Sequence, residues 1–258
     1  MNRRKFLASL GAMSAVGPGV FAAQPPPRNA AIAFGDASTM WQGSPPAITM
    51  APGWVPLFDG QTLKGWRGYK KPDAAPSRWR VENGMLTLPP KDGKDTGGAF
   101  DLITAATYDQ FELAFEWRIA PAGNSGVKYF VLEDMDTAIG HEYQIIDDEK
   151  HPDARFGPER QTAAFYDVLA ASNRPVRSVG EFNESRIIVD GTRAEHWLNG
   201  TRVLQYELKT PALQAAVADS KFKTVARFGT RQKGHILLQD HGDQVWYRNI
   251  RIRQTSPS

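Results

Sequence analysis

The sequence predicts an all-β protein: a sandwich of two antiparallel sheets carrying one short helix. Short apolar runs alternate with turn pairs at Asp59-Gly60, Asn83-Gly84, Asp190-Gly191 and Asn199-Gly200, the spacing of hairpin-linked strands. Phe111, Leu113, Phe115 and Trp117 alternate with Glu112, Ala114, Glu116 and Arg118, which gives a strand one dry face and one polar face. Seven tryptophans and thirteen phenylalanines suit a thick core between two sheets. No repeat at a fixed period is present, which argues against a propeller.

Residues 1–23 read as an address. Arg3-Arg4-Lys5-Phe6-Leu7 is a twin-arginine pattern, followed by a weakly apolar run broken by Gly11, Gly17, Pro18 and Gly19. Such a run is poor for a membrane helix and typical of a cleaved export signal, so export machinery is one expected partner. The basic balance leaves with it. The chain has 31 Lys+Arg against 28 Asp+Glu, and losing Arg3, Arg4 and Lys5 leaves 28 against 28. Nothing in that balance calls for nucleic acid or an anionic membrane. The absence of cysteine excludes disulfides, thiolate metal sites and a Cys nucleophile.

Residues 24–52 are rich in Pro, Ala, Gly and Ser and read as a linker or arm, which leaves 53–254 as one domain. Within it, strands are expected at Val55–Phe58, Trp79–Leu88, Phe111–Trp117, Val127–Leu132, His141–Asp147 and Thr162–Val168. Further strands follow at Arg186–Val189, His196–Leu204, His235–Gln239 and Val245–Arg253. Asn124-Ser125-Gly126 reads as the turn into Val127. Thr210-Pro211 opens the one helix, a cap followed by proline at the first position, running to about Ser220.

The sequence centres on His141-Glu142-Tyr143-Gln144-Ile145-Ile146-Asp147. At period two, Tyr143 and Ile145 suit a core face, and Glu142 and Gln144 stand together on the opposite one. A carboxylate beside an amide is what a sugar hydroxyl binds to. A solvated strand would look the same, so other strands must supply similar pairs. Gln239 with His241, and Glu116 with Arg118, are two more. If all three share a sheet, they make one polar concave face, with Tyr129, Tyr166 and Trp197 as flat surfaces for sugar rings. His196 and His235 read as structural. His141-Glu142 starts like a zinc-protease H-E-x-x-H, but Ile145 stands where the second histidine must be.

Trp54-Val55-Pro56-Leu57-Phe58-Asp59-Gly60, Phe115-Glu116-Trp117-Arg118-Ile119, Asn124-Ser125-Gly126-Val127 and the 141–147 stretch occur in an order with a known parallel. Trp197-Leu198-Asn199-Gly200, Gly234 through Gly242 and Arg248 through Ile252 continue it. The series resembles an exported bacterial family named for 3-keto-disaccharide hydrolase, or 3-keto-glucoside 1,2-lyase and hydratase, activity, over about Gly53 to Gln254. The resemblance implies a concanavalin-like jelly roll. It also implies Glu142, His241 and Glu116 as catalytic residues, with Gln144, Arg118, Asn124, Ser125, Tyr129, Tyr166 and Gln239 binding substrate. Ala163-Ala164-Phe165 and Lys128-Tyr129-Phe130 depart from the family pattern.

The implied substrate is a sugar oxidised at C3. Its C2–H is acidic, because the resulting carbanion is an enolate. Elimination at C1 and addition of water then amount to hydrolysis. Glu142 or His241 suits the base, and Arg118, Gln144 or a divalent metal ion suits the enolate. An ordinary glycosidase and a non-catalytic sugar-binding module remain alternatives. For a glycosidase, Glu142 and Asp147 fall on opposite faces unless a bulge intervenes.

Overall fold

Among the described residues of the computed structural model (52–74, 77–92 and 100–255), thirteen strands divide between two antiparallel sheets. The expected export signal and all but the last residue of the arm lie outside them. In chain order the strands are β1 (Val55–Pro56), β2 (Trp66–Gly68), β3 (Arg80–Glu82), β4 (Met85–Leu88) and β5 (Leu102–Thr104). Then come β6 (Phe111–Ile119), β7 (Asn124–Val131), β8 (His141–Ile146) and β9 (Asn183–Asp190). The last are β10 (Arg193–Leu198), β11 (Thr201–Glu207), β12 (His235–Leu238) and β13 (Val245–Gln254). One sheet runs β11-β10-β9-β6-β13-β4-β3, with β1 added beside β13; the other runs β2-β5-β12-β7-β8. This is a jelly-roll sandwich.

Alternation builds the core between them. Phe111, Leu113, Phe115 and Trp117 of β6 are all essentially buried, as are Tyr143 and Ile145 of β8. The Tyr143 ring meets Phe115 edge-on across the sandwich, with centroids 5.6 Å apart. Each such side chain contributes on the order of 1.5–3 kcal/mol by leaving water. Two hairpins close on Asn-Gly pairs with both residues at positive φ, Asn83-Gly84 (51° and 73°) and Asn199-Gly200 (46° and 81°). Helix α1 (Pro211–Asp219) starts where expected: the Thr210 side chain accepts from the Leu213 N–H at 3.2 Å. It buries Leu213 and Val217.

A polar seam also joins the two sheets. Trp117 Nε1 donates to Ser185 Oγ at 2.8 Å, and Tyr143 bonds the same hydroxyl. Tyr129 OH bonds His196 Nε2 at 3.0 Å and also Tyr206. Burial pushes His196 down to about 4 and His141 to about 3, so both rings are neutral core members.

Two local expectations are corrected. Thr162–Val168 is not a strand. Ala163 and Asp167 sit at φ 66° and 62°, and only single bridges from Phe165 to Tyr143 and Leu169 form. Asn124-Ser125-Gly126 is not a turn but the start of β7. The chain reverses earlier, at Ala120–Gly123, where Ala122 has φ 58° and Gly123 N–H donates to Ala120 O.

Candidate active site

The register of the five-stranded sheet lays out the site. Ile103, Leu237, Lys128 and Glu142 are successive partners across β5, β12, β7 and β8. One step along, Gly126 pairs with Gln144, and the Gln239 N–H donates to Gly126 O at 3.0 Å. Continuing the same ladder brings Asp101 opposite Gln239. All of these point away from the core, because Tyr129, Tyr143 and Leu238 between them point into it.

Gly126 is glycine for a local reason. A Cβ there would lie 2.4 Å from Glu142 Oε1, so the Glu142 carboxylate leans over β7 into that space. Glu142 is only 4% exposed. Its cation is Lys128, whose Nζ stands 3.8 Å from Oε2 and donates to Ala138 O at 3.1 Å. Burial raises the Glu142 pKa, against the opposing pull of Lys128 and Lys221. Asp101 is raised in the same way, by burial against Lys128. Gln239 Oε1 and Asn124 Oδ1 are buried with no hydrogen-bond partner among the described residues, a costly condition for carbonyl oxygens that a bound hydroxyl would relieve.

The walls come from loops. Lys128, Glu142, Gln239, Thr137, Lys221 and Phe222 help enclose a cavity of about 310 Å³. The Lys221 Nζ rides 4.1 Å from the Tyr166 ring centroid, and burial lowers its pKa. Tyr166 donates its hydroxyl proton to Asp153 at 2.8 Å and its N–H to Glu142 O. Arg160 ties Asp153 to Asp167, whose other oxygen accepts from the Lys221 N–H at 2.7 Å.

At the rim, His241 Nδ1 lies 3.5 Å from Asp243 Oδ2, and this bond raises the His241 pKa. Glu142 adds to that rise, which sets His241 within its electrostatic reach. His151 stands beside it, and burial and the His241 charge push its pKa down. Ligand-capable atoms of His151, His241 and Asp243 all lie within 4.8 Å of one another.

Of the residues singled out in the sequence, Glu142, Gln144, Gln239, Asn124, Tyr166 and His241 gather on this face or its rim. Gln144 is already engaged: its Oε1 accepts from the Ile145 N–H and its Nε2 donates to Arg160 O. Five others do not gather. Glu116 and Arg118 lie on the outer face of the eight-stranded sheet, because β6 belongs to that sheet and its inward row is aromatic. There Glu116 accepts from Arg248 and Asn249, and Arg118 stacks on Trp246 and Phe182. Trp197 faces the same way, beside Arg186. Tyr129 is fully buried among Tyr206 and His196, so it offers no platform for a sugar. Ser125 points into the core, bonding Gln239 O and Tyr247 OH.

Asp101, Lys128, Lys221, His151 and Asp243 were missed as site residues. Asp101 precedes a strand of only three residues, too short to show period two, and Lys221 lies in a loop. Lys128 alone left a signal, in the Lys128-Tyr129-Phe130 run that stands where the resembled family often has a run ending in arginine.

A sequence comparison matches residues 53–253 to the 3-keto-alpha-glucoside-1,2-lyase-like domain. A 3-keto-disaccharide hydrolase of Bacteroides thetaiotaomicron is 36% identical over 229 residues, 79% of this chain and 79% of that protein. Two crystallised Parabacteroides distasonis proteins assigned to the glycosyl hydrolases share the fold at 27% identity. One has a TM-score of 0.70, covering 79% of this chain and 94% of that one; the other scores 0.62, covering 78% and 99%.

Proposed function

Because this chain belongs to the 3-keto-alpha-glucoside-1,2-lyase-like domain family, we propose that it is a carbohydrate-active enzyme that cleaves 3-keto-glycosides. The observation that carries this reading is Glu142: a carboxylate at the bottom of a cavity, its charge disfavoured by burial, with two lysines acting on it.

Such a carboxylate suits proton abstraction from a weak carbon acid, since a raised pKa strengthens the base near neutrality. Glu142 takes the proton from C2, and the electron pair moves onto the C3 oxygen. Lys128 and Lys221 lie where an anion at that oxygen gains from them. Gln239 Oε1, lacking a partner, accepts from a ring hydroxyl. The C1–O bond then breaks, and water adds to the resulting glycal, giving net hydrolysis. His241, held by Asp243 at the open rim, is a further titratable group within electrostatic reach of Glu142.

His151, His241 and Asp243 also form a donor set of two imidazoles and a carboxylate, which fits a borderline divalent ion with open positions. Bound there, such an ion would supply Lewis acidity to a sugar oxygen.

The protein is further proposed to work outside the cytoplasm, which the Arg3-Arg4 pattern supports; lysine at both positions should then leave the precursor inside. The activity is tested by offering purified protein a 3-keto-glucoside and the same glucoside unoxidised, each with and without a chelator. Cleavage of the keto sugar alone is expected. Cleavage of the unoxidised sugar, or binding of either without turnover, would overturn the reading. Loss of activity with the chelator assigns the metal.

A further inference from the structure

Elimination needs a proton for the departing oxygen as well as a base at C2, and the sheet face that carries Glu142 holds a second carboxylate, half-buried at the edge of the neighbouring cavity. Asp101 stands on the same outward row as Gln239, Gly126 and Gln144. The Glu142 carboxylate lies over Gly126 on β7, two strand spacings from β5, which is about 10 Å. Gln239 lies on the strand between them, and the Asp101 charge helps to raise the Glu142 pKa, so the two carboxyl groups are within electrostatic reach of each other. A sugar ring lying over Gln239 would have a carboxyl group on either side, which is what an elimination needs: a base at C2 and an acid at the neighbouring leaving oxygen.

We propose that Asp101 is the general acid for the departing C1 oxygen, opposite Glu142 as base, with the sugar ring lying between them over Gln239. The assignment rests on the keto-glycoside reading. In the step, the C2–H bond breaks and its proton goes to Glu142. The pair forms the C1=C2 bond through the enolate, the C1–O bond breaks, and the oxygen takes the Asp101 proton. In hydration the reverse holds: Asp101 takes a proton from water and Glu142 returns one to C2, so both groups end as they began.

Three features set Asp101 apart from His241 for this role. Its burial raises its pKa, shifting it toward the protonated form that an acid needs. One oxygen, Oδ1, is fixed by the Asp240 N–H at 2.9 Å. It also borders a neighbouring cavity of about 420 Å³ with Tyr69, Lys70 and Thr137, which gives the leaving group somewhere to go. His241, by contrast, is 44% exposed at its side chain.

The test compares 3-keto-glucosides of an alkyl alcohol and of 4-nitrophenol, with deuterium exchange at C2 as a separate readout. Asp101→Asn keeps the oxygen that the Asp240 N–H needs. It should slow release of the alcohol by about 10²–10³-fold and release of nitrophenol by only a few fold, with C2 exchange retained. Glu142→Gln should abolish exchange. Wild-type rates should depend little on leaving-group acidity, a reading that needs no variant to fold. Equal loss on both substrates, loss of exchange in Asp101→Asn, or steep wild-type dependence on the leaving group would overturn the assignment. A wild-type protein inert toward both keto sugars would instead sink the keto-glycoside reading, and this role with it.

Discussion

Glu116 on β6 and Glu142 on β8 are both carboxylates on the outward row of a long strand, yet their surroundings differ in kind. Glu116 is gripped by Arg248 and Asn249. Its neighbour in the row, Glu112, is paired with Arg186 and Arg253, and arginines there lie on Trp54, Trp197, Trp246 and Phe182. The carboxylates of Glu112 and Glu116 are thus matched by close partners, although Arg118 Nε on the same face has none among the described residues. On the five-stranded sheet the loops around 137–140, 151–167 and 220–225 cover the row, Lys128 comes no nearer to Glu142 than 3.8 Å, and two amide oxygens lack partners among the described residues. A polar row becomes a site when it is roofed and left incompletely satisfied.

The comparison breaks most sharply on activity. Glu142→Gln should lower turnover of a 3-keto-glucoside by roughly 10² or more, the usual scale for a positioned acid–base group. Glu116→Gln should leave it within about twofold, since that side chain is on the far side of the sandwich. Steady-state kinetics on the two variants decides it. Comparable losses in both would mean that the outer face of the eight-stranded sheet takes part in the chemistry.

A smaller effect is expected at Gly126. An alanine Cβ would overlap Glu142 Oε1, so the carboxylate must swing aside while the backbone stays put. We expect a loss of about tenfold in kcat with little change in thermal stability, because displacing a reacting group by about 1 Å is costly to rate. Ala114, on the outward row of β6, already carries such a Cβ without harm. Unchanged kcat in Gly126→Ala would show that the lean of Glu142 over β7 does not matter.

Much of the sandwich was legible because its evidence is local. Alternation in β6, the Asn-Gly hairpins and the Thr210-Pro211 cap each depend on a few adjacent residues. Which outward rows share a sheet was not legible. Glu116-x-Arg118 and Glu142-x-Gln144 give the same period-two signal, and only long-range pairing of β6 with β13 and of β8 with β7 separates them. Tyr129 was misread for a related reason. The alternation along β7 was hidden by reading Asn124-Ser125-Gly126 as a turn, which left Tyr129 with no assigned face. Gly126 owes its identity to a side chain sixteen residues on, which no local rule reports.

The smallest effect is on stability, and it should have opposite signs on the two sheets. Burial raises the folded-state pKa of Glu142, so the fold binds the proton more tightly than the unfolded chain does. Stability therefore falls as pH rises from the ordinary carboxylate range through the folded-state pKa, and is flat above it. Glutamine removes that penalty: Glu142→Gln should unfold at a higher temperature than the wild type at pH 8, and the gain should fade toward pH 4. Glu116→Gln loses a partly exposed ion pair with Arg248, so it should cost about 0–1 kcal/mol, less in high salt. Thermal unfolding of both variants at the two pH values reads the signs directly. If Glu142→Gln proved the less stable variant at pH 8, the Glu142 charge would be well satisfied in the fold, and the contrast between the matched Glu116 and the unmatched Glu142 would fail.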